Sequence, residues 1–224
     1  MIDLSKSYEF FKPDECRDRI HVIGCGAIGS HVAEQLARYG LTKITLYDFD
    51  KVESHNIANQ LFTQEDLGKT KVQAVAESLA KINPDIGRDL KLVEKGYTGQ
   101  KLSGYVFLCV DNIDLRREIA TACKGNTFVK GMFDFRMRLT DAQHYAAAWD
   151  DQKMIDNFIA SMAFSQEEGK AETPVSACNQ TLSVCSTVKT IVSLGVSNFI
   201  NYVRGNGIKK MVLIDAFSFN IVAV

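Results

Sequence analysis

Three glycines in the run Gly24-Cys25-Gly26-Ala27-Ile28-Gly29 follow a short apolar stretch and precede a helical one. In that setting each glycine has a mechanical task. The first permits a tight turn, the second lets a phosphate come up against the backbone, and the third lets strand and helix pack closely. The helix N-terminus behind the turn offers unpaired N–H donors and a partial positive charge to an anion. Asp48 follows about twenty residues later, where a carboxylate can accept hydrogen bonds from ribose hydroxyls. Its charge repels a 2′-phosphate. Gly24, Gly26, Ala27, Ile28 and Gly29 with Asp48 therefore read as a seat for an adenine nucleotide. NAD and ATP fit these residues equally well.

The elements that must hold this seat are legible around it. Residues 19–23 form a strand that ends in the glycine turn. A helix follows, with Val32, Ala33, Leu36, Ala37 and Tyr39 near 3.6-residue spacing, and Gly40 stops it. Residues 43–47 are the next strand, with Asp48 at its carboxyl end. A polar segment over 51–66 leads to an amphipathic helix over 68–82, stopped by Asn83-Pro84. Strands are expected at 90–94 and 105–110, a helix at 113–124 and a strand at 127–132. Alternation over 134–149 predicts antiparallel strands, and 151–176 reads as a mobile crossover segment. A long helix over 177–203 and two strands, 209–215 and 217–223, close the chain. Strands alternating with helices imply an α/β fold, a Rossmann-like doubly wound sheet whose parallel N-terminal half is extended by antiparallel strands. No linker divides the 224 residues, so one domain is expected.

Composition excludes several classes. The formal net charge of −1 and the absence of a Lys/Arg run leave nothing to recruit nucleic acid or an anionic membrane. No apolar stretch is long enough to span a bilayer, and residues 1–16 lack the basic head and apolar run of a signal peptide. The 6 cysteines never occur as CxxC. Reduced thiols in a cytoplasmic setting and no structural zinc are the expectation.

Further residues separate ATP from NAD. Asp48-Phe49-Asp50-Lys51-Val52 is followed by Asn56, Gln60, Gly68, Lys69 and Lys71, then by Asp111-Asn112 and Arg116. In this order and spacing, residues 19–150 resemble the ThiF/MoeB/HesA family, the ubiquitin-activating-enzyme-like adenylyltransferases. The family pattern is GxGxxG, then D-x-D-x-V with N-x-x-R-Q, then G-x-x-K, then D-N-x-x-x-R. The resemblance implies ATP-dependent adenylation of the C-terminal glycine of a small ubiquitin-like or sulfur-carrier protein, with release of pyrophosphate. Two anions meet in that reaction, so cations must neutralise the reactants and the leaving group. By resemblance Lys71 contacts phosphates, Asn56 and Gln60 orient them, and Asp48 takes the ribose. Asp50 lies near the phosphates or metal, and Asp111 beside Asn112 holds Mg²⁺. Arg116 orients Asp111 or the carrier tail. A homodimer is also implied.

The chain departs from the pattern at two arginines. Asn59 stands before Gln60 where the family carries arginine, and residues 7–19 lack the family's arginine-bearing N-terminal stretch. Arg17, Arg19, Arg136 and Arg138 are the available substitutes. Without one, the alternative is a non-catalytic member that binds nucleotide or a partner. Some relatives pass the acyl group to a cysteine. Cys178, expected near the start of the long helix, is the candidate, with Cys185 seven residues on; a packing role for both is the competing reading.

Overall fold

Ile20–Ile23 (β1) is buried on both faces, as a central strand of a parallel sheet must be. The computed structural model describes residues 2–171, 174–175 and 182–224. β1 pairs in parallel with Ile44–Tyr47 (β2) on one side and Gly104–Leu108 (β4) on the other. Lys91–Val93 (β3) adds to β2, and Val129–Met137 (β5) adds to β4, both in parallel. Asp141–Ala148 (β6), Met211–Asp215 (β7) and Asn220–Ala223 (β8) then continue the sheet antiparallel. The order is β3-β2-β1-β4-β5-β6-β7-β8, one mixed sheet of 8 strands. The doubly wound parallel half with its antiparallel extension is thus present as expected.

Helices cover both faces. Ala27–Arg38 (α1), Lys71–Ile82 (α2) and Cys185–Val203 (α6) bury their apolar stripes on one side. Ile113–Ala122 (α3) and Gln152–Ala160 (α4) pack on the other. Under α6 the rings of Phe107, Phe133 and Phe199 interlock, with Phe107 stacked on Phe133 at 4.9 Å and edge-on to Phe199 at 5.3 Å. No described helix is long and apolar enough to cross a membrane.

Several boundaries differ from the sequence reading, and those after β4 matter most for the site. Residues 151–176 do not run as one irregular crossover, because α4 and a short helix, Gln166–Ala171 (α5), occupy much of the stretch. Asp151 caps α4 by accepting the Met154 N–H at 3.0 Å, and Ile155 and Phe158 are buried, Phe158 edge-on to Trp149. The exposed charges of the segment masked that apolar spacing. The long helix α6 spans Cys185–Val203 and residues 182–184 lie outside it; the expected start at 177 falls outside the described residues. β5 runs on to Met137 and so carries Asp134 and Arg136 inside the sheet.

Candidate active site

β1 and β4 are neighbours whose following segments run to opposite sides of the sheet, so their carboxyl ends form the crevice where ligands of such sheets bind. The glycine turn fills one wall. Gly24 adopts φ +93°, and a Cβ there would stand 2.8 Å from the Cys109 carbonyl. A Cβ on Gly29 would collide with the Gly24 carbonyl oxygen and lie 3.2 Å from the Cys109 side chain. These two glycines are required by backbone packing. Gly26 is different: a Cβ there would meet nothing within 4 Å. No described neighbour explains its missing side chain, which suits a position kept bare for a ligand. Gly26 is also the N-cap of α1 and supplies no side-chain cap, leaving the first-turn N–H groups to an anion.

Asp48 closes the turn from the β2 side. Its two oxygens accept the Cys25 N–H at 2.6 Å and the Asp50 N–H at 2.8 Å. Burial pushes its carboxyl above the usual range, against the pull of those two N–H groups and of Lys71. Asp50 and Lys71 are brought together by a chain reversal. The Lys51–Thr70 bridge, Val52 N–H to the Lys69 carbonyl at 2.9 Å and Lys71 N–H to the Asp50 carbonyl at 2.9 Å zip the two segments. The Lys71 ammonium consequently stands 2.8 Å from the Asp50 carboxylate, its own side chain buried while the carboxylate is half exposed. Lys69 is turned away into ion pairs with Asp66 and Glu77.

Residues 53–61 form the rim. Asn56 is buried and its side-chain oxygen accepts the Glu53 N–H at 2.9 Å, while Leu61 N–H reaches Ser30 on α1 at 3.2 Å. Asn56 therefore shapes the rim by holding its own turn. Gln60 leaves a buried Oε1 without a partner among the described residues. An orphaned buried acceptor costs roughly 1–3 kcal/mol, so the rim fits a polar group arriving beside α1.

Asp111 is exposed three residues past β4, on the crevice side, and Asn112 caps α3 by accepting the Leu115 N–H at 3.0 Å. Among the described residues no three metal-ligating side chains cluster. A Mg²⁺ here would therefore rest on Asp111 together with the oxygens of a bound phosphate, which is how that ion is commonly held. Asp111 and the nearby turn fit the ion on those terms.

Arg116 is placed elsewhere than at the ligand face. It is buried in an ion pair with Asp134 at 2.6 Å, and it donates to the carbonyls of Val110 and Phe135. Through Val110 it steadies the backbone just before Asp111. Arg136 shares the fully buried Asp134 at 2.7 Å and reaches Ser161. Arg19 donates to the carbonyls of Ile44 and Asp89 at the amino ends of the strands, the end away from the crevice, and Arg17 donates to the Asp14 carbonyl. Of the four substitutes, Arg138 alone follows the carboxyl end of β5 with its side chain exposed, 4.0 Å from Asp141. Cys178 lies outside the described residues. Cys185 is the first residue of α6 and partly exposed, whereas Cys25 and Cys109 are buried with thiols pushed far up by desolvation. Sequence reasoning missed Asp134, whose sole signal was a carboxylate inside an apolar strand.

A family model described as the ThiF family matches residues 16–221. The chain belongs to the ThiF family. This ThiF-family chain is 32% identical over 142 residues to ubiquitin-like modifier-activating enzyme 5 of Drosophila virilis, covering 56% of the chain and 34% of that protein. Against the same-named protein of Aedes aegypti the identity is 37% over 120 residues, covering 46% and 30%. The chain spans about a third of the length of the curated relatives it matches. Its fold is that of the solved structure of PaaA, with a TM-score of 0.72 at 15% identity over 99% of this chain and 68% of that one. The E. coli MccB structure with ATP gives a TM-score of 0.72 at 17% identity, covering 95% and 65%.

Proposed function

We propose that this ThiF-family chain, acting over residues 1–224 as one domain, adenylates the C-terminal glycine of a small ubiquitin-like or sulfur-carrier protein with ATP. What supports the reading is a bare glycine turn closed by Asp48, the Lys71–Asp50 pair beside it, and an exposed Asp111 just past the neighbouring strand β4. NAD chemistry would use the turn and Asp48 but gives no work to Lys71 or Asp111. The names of the relatives support the same class, since they are ubiquitin-like modifier-activating enzymes, and one solved MccB structure contains ATP.

In the reaction a carboxylate oxygen of the carrier's terminal glycine attacks the α-phosphorus. The new C–O–P bond forms as the bond from the α-phosphorus to the oxygen bridging to the β-phosphate breaks, and pyrophosphate leaves with the electron pair. The α1 N-terminus and the Gly26 backbone receive phosphate, while Asp48 holds the ribose. Lys71 carries three donors, and Asp50 accepts one of them, which aims the ammonium and leaves two donors for phosphate. Asn56 and Gln60 shape the rim against the phosphates. Mg²⁺, when bound, supplies charge that offsets the build-up on the leaving pyrophosphate; Asp111 would hold it, with Asn112 fixing the loop. Arg116 acts behind the site by anchoring the Val110 carbonyl.

The carrier is the expected partner, and a homodimer in the cytoplasm is the expected state. An edge with Phe217, Phe219, Ile221, Val222 and Val224 exposed supports a protein partner, since such an apolar edge strand is rarely left bare. The net charge of −1 supports neither nucleic acid nor membrane as a partner. Acyl transfer to Cys178 belongs to this proposal as a later step. The test is incorporation of labelled pyrophosphate into ATP with Mg²⁺ and carriers ending in glycine. Exchange that vanishes in Asp111→Asn supports adenylation. ATP binding with no exchange for any carrier would make the chain a binding module instead.

A further inference from the structure

Residues 161–165, which join α4 to α5, and the first residue of α5 are tied to β5, α3 and the 111–113 loop by three side chains. Arg136 donates to the Ser161 carbonyl at 2.7 Å and to its hydroxyl at 2.8 Å. Arg117 reaches the carbonyls of Met162 at 2.8 Å and Phe164 at 3.2 Å. Gln166, the first residue of α5, makes the third tie, and it lands on the loop that carries Asp111. Its Oε1 accepts the Ile113 N–H at 2.8 Å, and its Nε2 donates to the Asp111 carbonyl at 3.3 Å.

This amide brackets Asn112. Ile113 is the first residue of α3, so its N–H has no intrahelical partner and must find one elsewhere. Asn112 takes care of the Leu115 N–H, and Gln166 takes care of Ile113. With the peptide groups on both sides of Asn112 held by one side chain, the backbone torsions that aim the Asp111 carboxylate are restricted. A second tie reinforces the first from inside the sheet. The Val110 carbonyl accepts from Arg116, Arg116 pairs with Asp134, and Asp134 pairs with Arg136, which grips Ser161. The crevice loop is thus bound to the α4–α5 region by two routes, one ending on Gln166 at the start of α5 and the other on Ser161 at the end of α4.

We propose that Gln166 is a positioning residue for Asp111, setting the divalent-cation affinity of the site according to where α5 lies. This rests on the adenylation reading, in which Asp111 holds the cation. A shift of α5 away from α3 would release both bonds, loosen the 111–113 loop and weaken cation binding without touching the phosphate turn.

The experiment is Mn²⁺ titration of the full chain followed by electron paramagnetic resonance, with the protein in excess over ATP so that no free nucleotide takes the ion, in wild type and Gln166→Met. Methionine keeps the length and removes both hydrogen bonds. The expected result is a roughly tenfold rise in the Mn²⁺ midpoint, as the loss of two ordinary hydrogen bonds would give. Affinity for metal-free ATP stays at the wild-type value, and amide exchange over 110–115 speeds up in the protein without ligand. If Gln166→Met fails to fold, Gln166→Ala is read in the same way. Wild-type Mn²⁺ affinity in a folded variant, whatever its amide exchange, overturns the inference and leaves adenylation standing. Failure of the wild type to bind Mn²⁺ with ATP overturns the adenylation reading, and this role with it.

Discussion

The Lys71 ammonium and the Asp50 carboxylate are separated by 2.8 Å, with the lysine buried and the aspartate half exposed. A lysine sequestered at the mouth of a phosphate-binding turn needs a partner, because an unpaired buried ammonium is costly. Asp50 supplies it from the exposed side. Lys71→Met is expected to lower adenylation by roughly 10²–10³, the usual effect of removing one stabiliser of transition-state charge. Asp50→Asn leaves the ammonium without its carboxylate and is expected to weaken ATP binding less than the lysine change. Pyrophosphate exchange and calorimetric ATP binding on both variants check the order.

Gly26 and Gly29 make a matched pair of tests. A Cβ at Gly29 would collide with the Gly24 carbonyl, whereas one at Gly26 would meet nothing within 4 Å. Gly29→Ala is therefore expected to lower the melting temperature, with backbone forced apart at the strand–helix junction. Gly26→Ala should melt like the wild type and bind ATP at least roughly tenfold more weakly, since its methyl group would occupy the phosphate approach. Thermal melts beside ATP titrations separate the two.

Asp134 joins Arg116 and Arg136 in the interior at 2.6 and 2.7 Å. Removing one member of a buried charge pair leaves the others uncompensated, at about 3–5 kcal/mol. Asp134→Asn and Arg116→Met are each expected to lower the melting temperature by roughly 10 °C in a chain of this size. Scanning calorimetry checks this. Wild-type melting in both variants would show that the triad contributes nothing.

Acid should destabilise the fold through His144. Its Nδ1–H donates to the Asp134 carbonyl at 3.0 Å, and its Nε2 faces the Asn198 amide at 3.1 Å. Burial pushes the imidazole down from 6.5 to about 4, against the pull of Asp134. Between those pH values the unfolded chain binds a proton that the folded chain refuses. The stability is therefore full above about 6.5, falls by about 1.4 kcal/mol per pH unit on acidification, and levels off below about 4. His21, also lowered to about 4 by burial, adds in the same direction. Urea midpoints measured from pH 7 to 4 should decline, and His144→Gln should decline less steeply.

The parallel half of the sheet was legible because its signals are local. The glycine turn, the apolar runs of β1, β2 and β4, and Asn83-Pro84 each act within a few residues. The positions of Asp48 and Lys71 followed from motif spacing, and the bridge between Lys51 and Thr70 explains physically why that spacing works. Long-range charge pairing was not legible. Arg116 is expected from the sequence to orient Asp111 or the carrier tail, but the ion pair that fixes it is invisible there because Asp134 lies 18 positions away inside β5. The role of Gln166 depends on α5, whose 6 residues carry charges and a glycine rather than an apolar stripe.

Adenylation is tested most directly by exchange of labelled pyrophosphate into ATP. The protein is incubated with Mg²⁺ and a small β-grasp carrier ending in glycine, beside the same carrier with its terminal glycine deleted. Adenylation predicts exchange that requires the terminal glycine and falls at least roughly a hundredfold in Asp111→Asn. Tight ATP binding with no exchange above the deleted-carrier background, across a panel of such carriers, would contradict it.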